Sequence, residues 1–190
     1  MALNRCMTTL AVLIAFVLPG ICSTPRAESE QHPSNRSAGI AQSLPAEYRQ
    51  WLDQDVQYII TPQERAEFLR LSKNEDRDRF VEQFWERRDP VPGATENKFK
   101  EEHYRRIAYA NTHFAAGTPG WRTDRGRIYI LYGPPDEIKT QSDRGSVGLL
   151  PPRQTWHYHS SIPGYGNNAD LKFVDWCACG EYRLQPPPGN

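Results

Sequence analysis

The sequence predicts an α+β domain in which N-terminal helices pack on a small C-terminal antiparallel β-sheet, and three observations predict it. Two helix starts, Thr61-Pro62-Gln63-Glu64 and Ser72-Lys73-Asn74-Glu75, fall in the first half of the chain. Trp156 and Tyr158 alternate with His157 and His159 in the second half, and a period of two marks a half-buried strand. Helical signals come first and strand signals after, the order of a fold that segregates its helices to one side of an antiparallel sheet.

A chain of 190 residues is long enough for one core with appendages. Arg5 gives a positive start, residues 10–18 are an unbroken apolar run, and Pro19-Gly20 interrupts it. Residues 1–27 therefore read as a signal peptide cut between Cys22 and Ala27, with export to the periplasm or cell envelope of a bacterium. The run is shorter than the ~20 apolar residues a bilayer span needs, so no transmembrane span is expected in the mature chain. Acylation of Cys22 as a lipoprotein is disfavoured, because Ile21 stands where a lipobox carries Gly or Ala. Residues 28–43, with Pro33, Ser34, Asn35, Ser37 and Gly39, have almost nothing to bury and read as a disordered linker. The domain is expected over 44–185, and 186–190 is a tail.

Within the domain, residues 56–60 read as a short strand or an extended lead-in. Thr61 and Glu64 form a capping-box pattern around Pro62, which predicts a helix over 62–71. Ser72 and Glu75 repeat the pattern and predict a second helix over 73–88, stopped at Asp89-Pro90. Phe80, Val81, Phe84 and Trp85 make its apolar stripe, read as core. A third helix is expected from Thr95 or Glu96 to Ala115. Interleaved charges, including Glu75 with Arg79 and Glu102 with Arg106, read as solvated faces.

Residues 127–132, Arg-Ile-Tyr-Ile-Leu-Tyr, lie between Gly120 and Gly133-Pro134-Pro135 and read as the central buried strand. Residues 136–150 read as a mobile excursion. Strands follow over 154–159, 171–176 and 182–185, with Gly180 turning the last pair.

At Gly120-Trp121-Arg122-Thr123-Asp124 the chain resembles the GWxTD-domain family of bacterial secreted or envelope proteins. The resemblance extends over roughly 62–184, including the run Arg125-Gly126-Arg127-Ile128-Tyr129 after the signature, the Trp156-His157-Tyr158 strand and Phe173-x-Asp175. It implies an exported domain of no established reaction, and it carries over no catalytic residues.

Which residues could carry chemistry follows from residue type. Trp121, Asp124 and Arg125 are candidates for partner contact, set against a structural corner in which Trp121 fills a helix–sheet junction and Thr123 or Asp124 binds backbone N–H groups. His157 and His159, with Cys177 and Cys179, offer two ligand pairs on extended segments that could close a zinc site. A Cys177–Cys179 disulfide, which needs a local turn, and two free thiols are the other fates of the cysteines. No other cofactor is expected. Walker, Gly-x-Gly-x-x-Gly, Gly-x-Ser-x-Gly and His-Glu-x-x-His patterns are absent. A formal net charge of +0 disfavours a nucleic-acid partner. The reading is a non-enzymatic cell-envelope module that docks an envelope protein or glycan. The competing class is a small hydrolase or thiol enzyme using Cys177 or Cys179 with His157 or His159.

Overall fold

The computed structural model describes residues 44–141 and 150–187. The expected signal peptide and linker, and residues 142–149 of the expected excursion, lie outside them. Among the described residues the architecture is α+β: five α-helices, then a four-stranded antiparallel sheet.

Helix α1 (Ala46–Gln50) passes directly into a π-helical turn, Trp51–Asp55. The extended segment expected at 56–60 is instead a wrapped turn. Ile59 and Ile60 both donate N–H to the Val56 carbonyl, at 2.9 and 2.8 Å, around a fully buried Val56 side chain. Helix α2 (Pro62–Arg70) begins as its sequence dictates: Glu64 N–H donates to Thr61 Oγ1 at 3.2 Å, and Thr61 N–H donates back to Glu64 Oε2 at 3.0 Å.

Helix α3 (Asn74–Glu86) does not use the expected Ser72 cap. Lys73 occupies the cap position, and the Arg77 guanidinium reaches back to the Leu71 carbonyl and Asn74 Oδ1, at 2.6 and 2.7 Å. Arg79 pairs with the Asp76 carboxylate, and meets Glu75 only at its backbone carbonyl. Helix α4 (Lys98–His113) starts two to three residues later than expected, because Asn97 supplies the cap, accepting from Lys100 N–H at 2.9 Å. Trp51, Leu52, Val56, Phe68, Phe84 and Trp85 close a first core between these helices. Phe80 and Val81 flank it, so the stripe on α3 is core as expected.

The main correction falls at 127–132, which is helical. A 3₁₀ turn, Gly120–Arg122, leads into helix α5 (Asp124–Tyr132). Short apolar runs do not distinguish strand from helix, and here the ends decide. Thr123 Oγ1 accepts the Gly126 N–H at 3.1 Å as a helix cap, Asp124 places a carboxylate in the first turn, and Gly133 closes the helix at φ 83°. Ile128 and Ile130 are buried, and Tyr129 stacks on Tyr109 of α4 with ring centroids 4.4 Å apart. The Gly-Pro-Pro sequence is thus a helix stop.

The sheet recruits its first strand from the segment read as an excursion. β1 (Glu137–Gln141) pairs with β2 (Arg153–Tyr158), which pairs with β3 (Ala169–Val174), which pairs with the short β4 (Arg183–Leu184). Trp156, Tyr158, Leu171 and Phe173 cover the inner face and meet Phe114, Ile128 and Ile130 in a second core. Helix α4 serves both cores: Phe99 packs on the first, Ile107 and Ala110 on the second. The outer face is mostly polar, with Lys139, Thr155 and Lys172 in one cross-strand row and Gln141 and Arg153 beside the buried Val174 in the next.

Candidate functional site

The Gly120–Asp124 corner ties four separate segments together. Gly120 is buried so closely on α4 that a Cβ there would lie 1.8 Å from the Ala110 carbonyl oxygen. Trp121 is half-buried against the second core; its N–H donates to Asn111 Oδ1 and its carbonyl accepts from the Tyr58 hydroxyl, both at 3.0 Å. Thr123 donates its hydroxyl to the Gly120 carbonyl at 2.8 Å while capping α5. Asp124 accepts the Leu184 N–H at 2.9 Å and holds β4 to the start of α5. The contacts of Trp121 and Asp124 are thus made within the domain, around the corner itself.

Arg125 carries the corner outward. Its guanidinium lies 4.2 Å from the Tyr182 ring centroid and 5.1 Å from that of Phe114, and donates to Gln154 Oε1 at 3.3 Å and the Gly180 carbonyl at 3.1 Å. Burial pushes its pKa below the ordinary arginine value, with Tyr182 and Asp175 acting the other way. A planar cation stacked on rings and bonded to a carbonyl is a use for which lysine is no substitute.

Gly180 belongs to a loop built on Asp175, which is 3% exposed. Asp175 Oδ1 accepts the Cys179 N–H at 3.1 Å, and Oδ2 accepts the Gly180 N–H at 2.7 Å. The turn so formed, with Ala178 at φ 51° and Gly180 at φ 90°, brings Cys177 and Cys179 to a Cα separation of 5.1 Å and joins them in a disulfide. A ring of so few residues restricts the unfolded chain little, stabilising by roughly 1.5 kcal/mol on the loop-closure model. Both cysteines are exposed, and the preceding Trp176 is 65% exposed.

His157 and His159 lie elsewhere. His157 Nδ1 is 2.7 Å from Asp170 Oδ1, and His159 Nδ1 is 3.0 Å from Asp136 Oδ2, with the two rings edge to face. The His159 backbone N–H and imidazole together hold the Asp136 carboxyl below its usual range. His157 stands four positions along β2 from Arg153, whose partner Val174 immediately precedes the Asp175 loop. At ~3.3 Å per residue that places His157 about 13 Å from the cysteine end of the sheet, and His159 farther still. The four proposed zinc ligands are not brought together, and neither is a thiol–imidazole pair. Among the described residues, the grouping of potential ligand atoms is Asp175 with Cys177 and Cys179.

Sequence reasoning singled out neither Asp175 nor Trp176 as a functional residue. The run Asp-Trp-Cys-Ala-Cys-Gly did carry a signal for the first: an Asp followed by a glycine-ended turn is placed to accept that turn's N–H groups. Beside Trp176, the polar side chains of Gln141, Arg153, Thr155, Lys172 and Gln185 and the apolar Phe173 and Val174 line a shallow depression of about 410 Å³ on the outer sheet face. Among the described residues neither Arg153 nor Lys172 has a carboxylate partner.

Fold and corner together define a small α+β domain whose helix α5 starts on a Gly-Trp-Arg-Thr-Asp turn. Residues 32–173 match the model of the GWxTD domain, and the chain belongs to that family. The matched segment stops short of Asp175, so the disulfide loop and β4 are features of this chain beyond it. No curated protein and no solved structure matches the chain. No described helix is long and apolar enough to cross a membrane.

Proposed function

We propose that this GWxTD domain is a non-enzymatic interaction module of the cell envelope, and that the outer sheet face around Trp176 binds a glycan bearing carboxylate groups. The observation that carries the reading is the exposed Trp176 ring beside a depression lined by amides, a hydroxyl and two cations that have no carboxylate partner among the described residues. A flat indole offers an apolar platform for a sugar ring. Gln141, Gln185 and Thr155 both donate and accept hydrogen bonds, as hydroxyl-rich ligands require. Arg153 and Lys172 are diagonal neighbours on adjacent strands, so two like charges share the face, and an anionic ligand relieves their repulsion. A single exposed ring with amides, a hydroxyl and two cations around it suits a glycan better than an envelope protein, whose contact would centre on a broader apolar patch. The apolar run at residues 10–18 and the oxidised cysteine pair support an envelope location.

The test is titration of the protein with polygalacturonate and, in parallel, uncharged dextran, read by tryptophan fluorescence and calorimetry. Saturable binding of polygalacturonate that is lost in Trp176→Ala and weakened in Lys172→Gln is expected. Failure to bind either polymer, with capture of one specific envelope protein through the same face, would replace the glycan by a protein occupant.

A further inference from the structure

We propose that the Cys177–Cys179 disulfide is a thiol-exchange site, opened by small or protein thiols while the domain stays folded. Four observations point to it. Both cysteines are exposed, so an incoming thiolate reaches the sulfurs without unfolding. The ring they close contains a single intervening residue, Ala178, and that residue is held in the left-handed region at φ 51°, where alanine is disfavoured. The turn is held by the Asp175 bonds to the Cys179 and Gly180 N–H groups, so it can persist when the disulfide opens. Every element of the sheet is hydrogen-bonded independently of the bond.

The fourth observation is the buried Asp175 carboxylate, whose Oδ1 lies 3.3 Å from Cys177 Sγ. In the disulfide this sulfur has no proton, so two electron-rich atoms face each other. In the dithiol, Cys177 can donate S–H to the same oxygen, and the contact becomes a hydrogen bond. The carboxylate contact therefore favours the reduced pair.

The exchange balances without any further oxidant. An external thiolate attacks Cys179 Sγ; the new S–S bond forms as the Cys177–Cys179 bond breaks, and the electron pair leaves on Cys177 Sγ, which takes a proton from solvent. A second external thiol attacks the outer sulfur of the mixed disulfide and releases Cys179 as thiolate. Two external thiols are oxidised to one disulfide, and the cysteine pair is reduced by two electrons. Trp176 and Gly180 flank the pair, and Gly180 carries the carbonyl that Arg125 holds, so the change is delivered next to the signature corner.

The experiment places the full oxidised chain in a series of glutathione buffers at neutral pH. The state of the pair is read by mass after alkylation, the fold by far-UV circular dichroism, and the loop by the fluorescence difference between the wild type and Trp176→Phe. The expected result is a mid-point within the range that glutathione sets, with unchanged circular dichroism and a fluorescence step missing from Trp176→Phe. Asp175→Asn should move the mid-point several-fold towards the disulfide. A pair that stays oxidised throughout the series, or opens only as circular dichroism is lost, overturns the proposal. So does an Asp175→Asn variant that is folded and has an unshifted mid-point, since the carboxylate contact would then have no part in the equilibrium.

Discussion

A Cβ on residue 126 would stand 1.9 Å from the carbonyl oxygen of Gly120. The first turn of α5 and the 3₁₀ turn before it are in backbone contact, and only the hydrogen of Gly126 fits between them. Because Gly120 is pressed equally hard on Ala110, three layers of backbone are stacked with no side chain separating them.

Gly126→Ala is accordingly expected to destabilise the domain by about 3 kcal/mol, at the upper end of the cost of overpacking, because the obstructing atoms are main chain and cannot rotate away. Urea unfolding followed by tryptophan fluorescence measures this. An unchanged mid-point would mean that the turn and helix do not meet as described.

Glu64 caps α2 and also anchors α3 through Arg88 and Arg87, at 2.8 and 3.1 Å. Burial alone would raise its pKa, but the bonds from Arg88, the Thr61 N–H and Arg87 outweigh it and hold the carboxyl at about 2. A pKa depressed on folding contributes stability above the unfolded value of 4.5 that is lost as pH falls towards 2. Glu64→Gln should cost roughly 2–3 kcal/mol at neutral pH, as expected for charge-assisted bonds. In acid titrations followed by circular dichroism, the gap between variant and wild type should narrow below pH 4.5. A gap of constant size would remove the carboxylate from the account.

His103 is 4% exposed, and its Nε2 lies 2.6 Å from the Asp55 carbonyl, the geometry of a ring N–H donating to that oxygen. Burial lowers its pKa, so the unfolded chain binds the proton more readily than the folded one. Its contribution is then complete above the unfolded value of 6.5 and declines as pH drops below it. Thermal melts at pH 7.5 and 5.5 should differ by less in His103→Gln than in the wild type, and an NMR titration of the His103 ring should give a mid-point below 6.5. A mid-point at or above that value contradicts the burial argument.

What the sequence made legible was local. Thr61, Pro62 and Glu64 announced α2 because a capping box is complete within four residues, and the alternation around Trp156 announced β2 because one face of that strand is buried. The class of the fold followed from their order. Residues 127–132 misled because β-branched and aromatic residues suit a strand, while the deciding groups, the Thr123 hydroxyl and Gly133, sit outside the run. Glu137–Gln141 escaped notice because all five residues are exposed, so no burial pattern marked them; only pairing with β2 makes them a strand. At the site, the Cys177–Cys179 bond was among the fates open to the pair. The distance between cysteines and histidines was invisible, because it depends on register. Arg125 was noticed as a charge, but its partners lie 29 and 55 residues away, beyond any local pattern.

The four-stranded sheet finishes on one side in β1, with Lys139 at its middle, and on the other in the two residues of β4. A charged rim and a stub are poor templates for an added strand. Backbone-to-backbone recruitment of another polypeptide is thereby discouraged, and concentrated copies of the domain have no long bare strand edge through which to zip into fibrils.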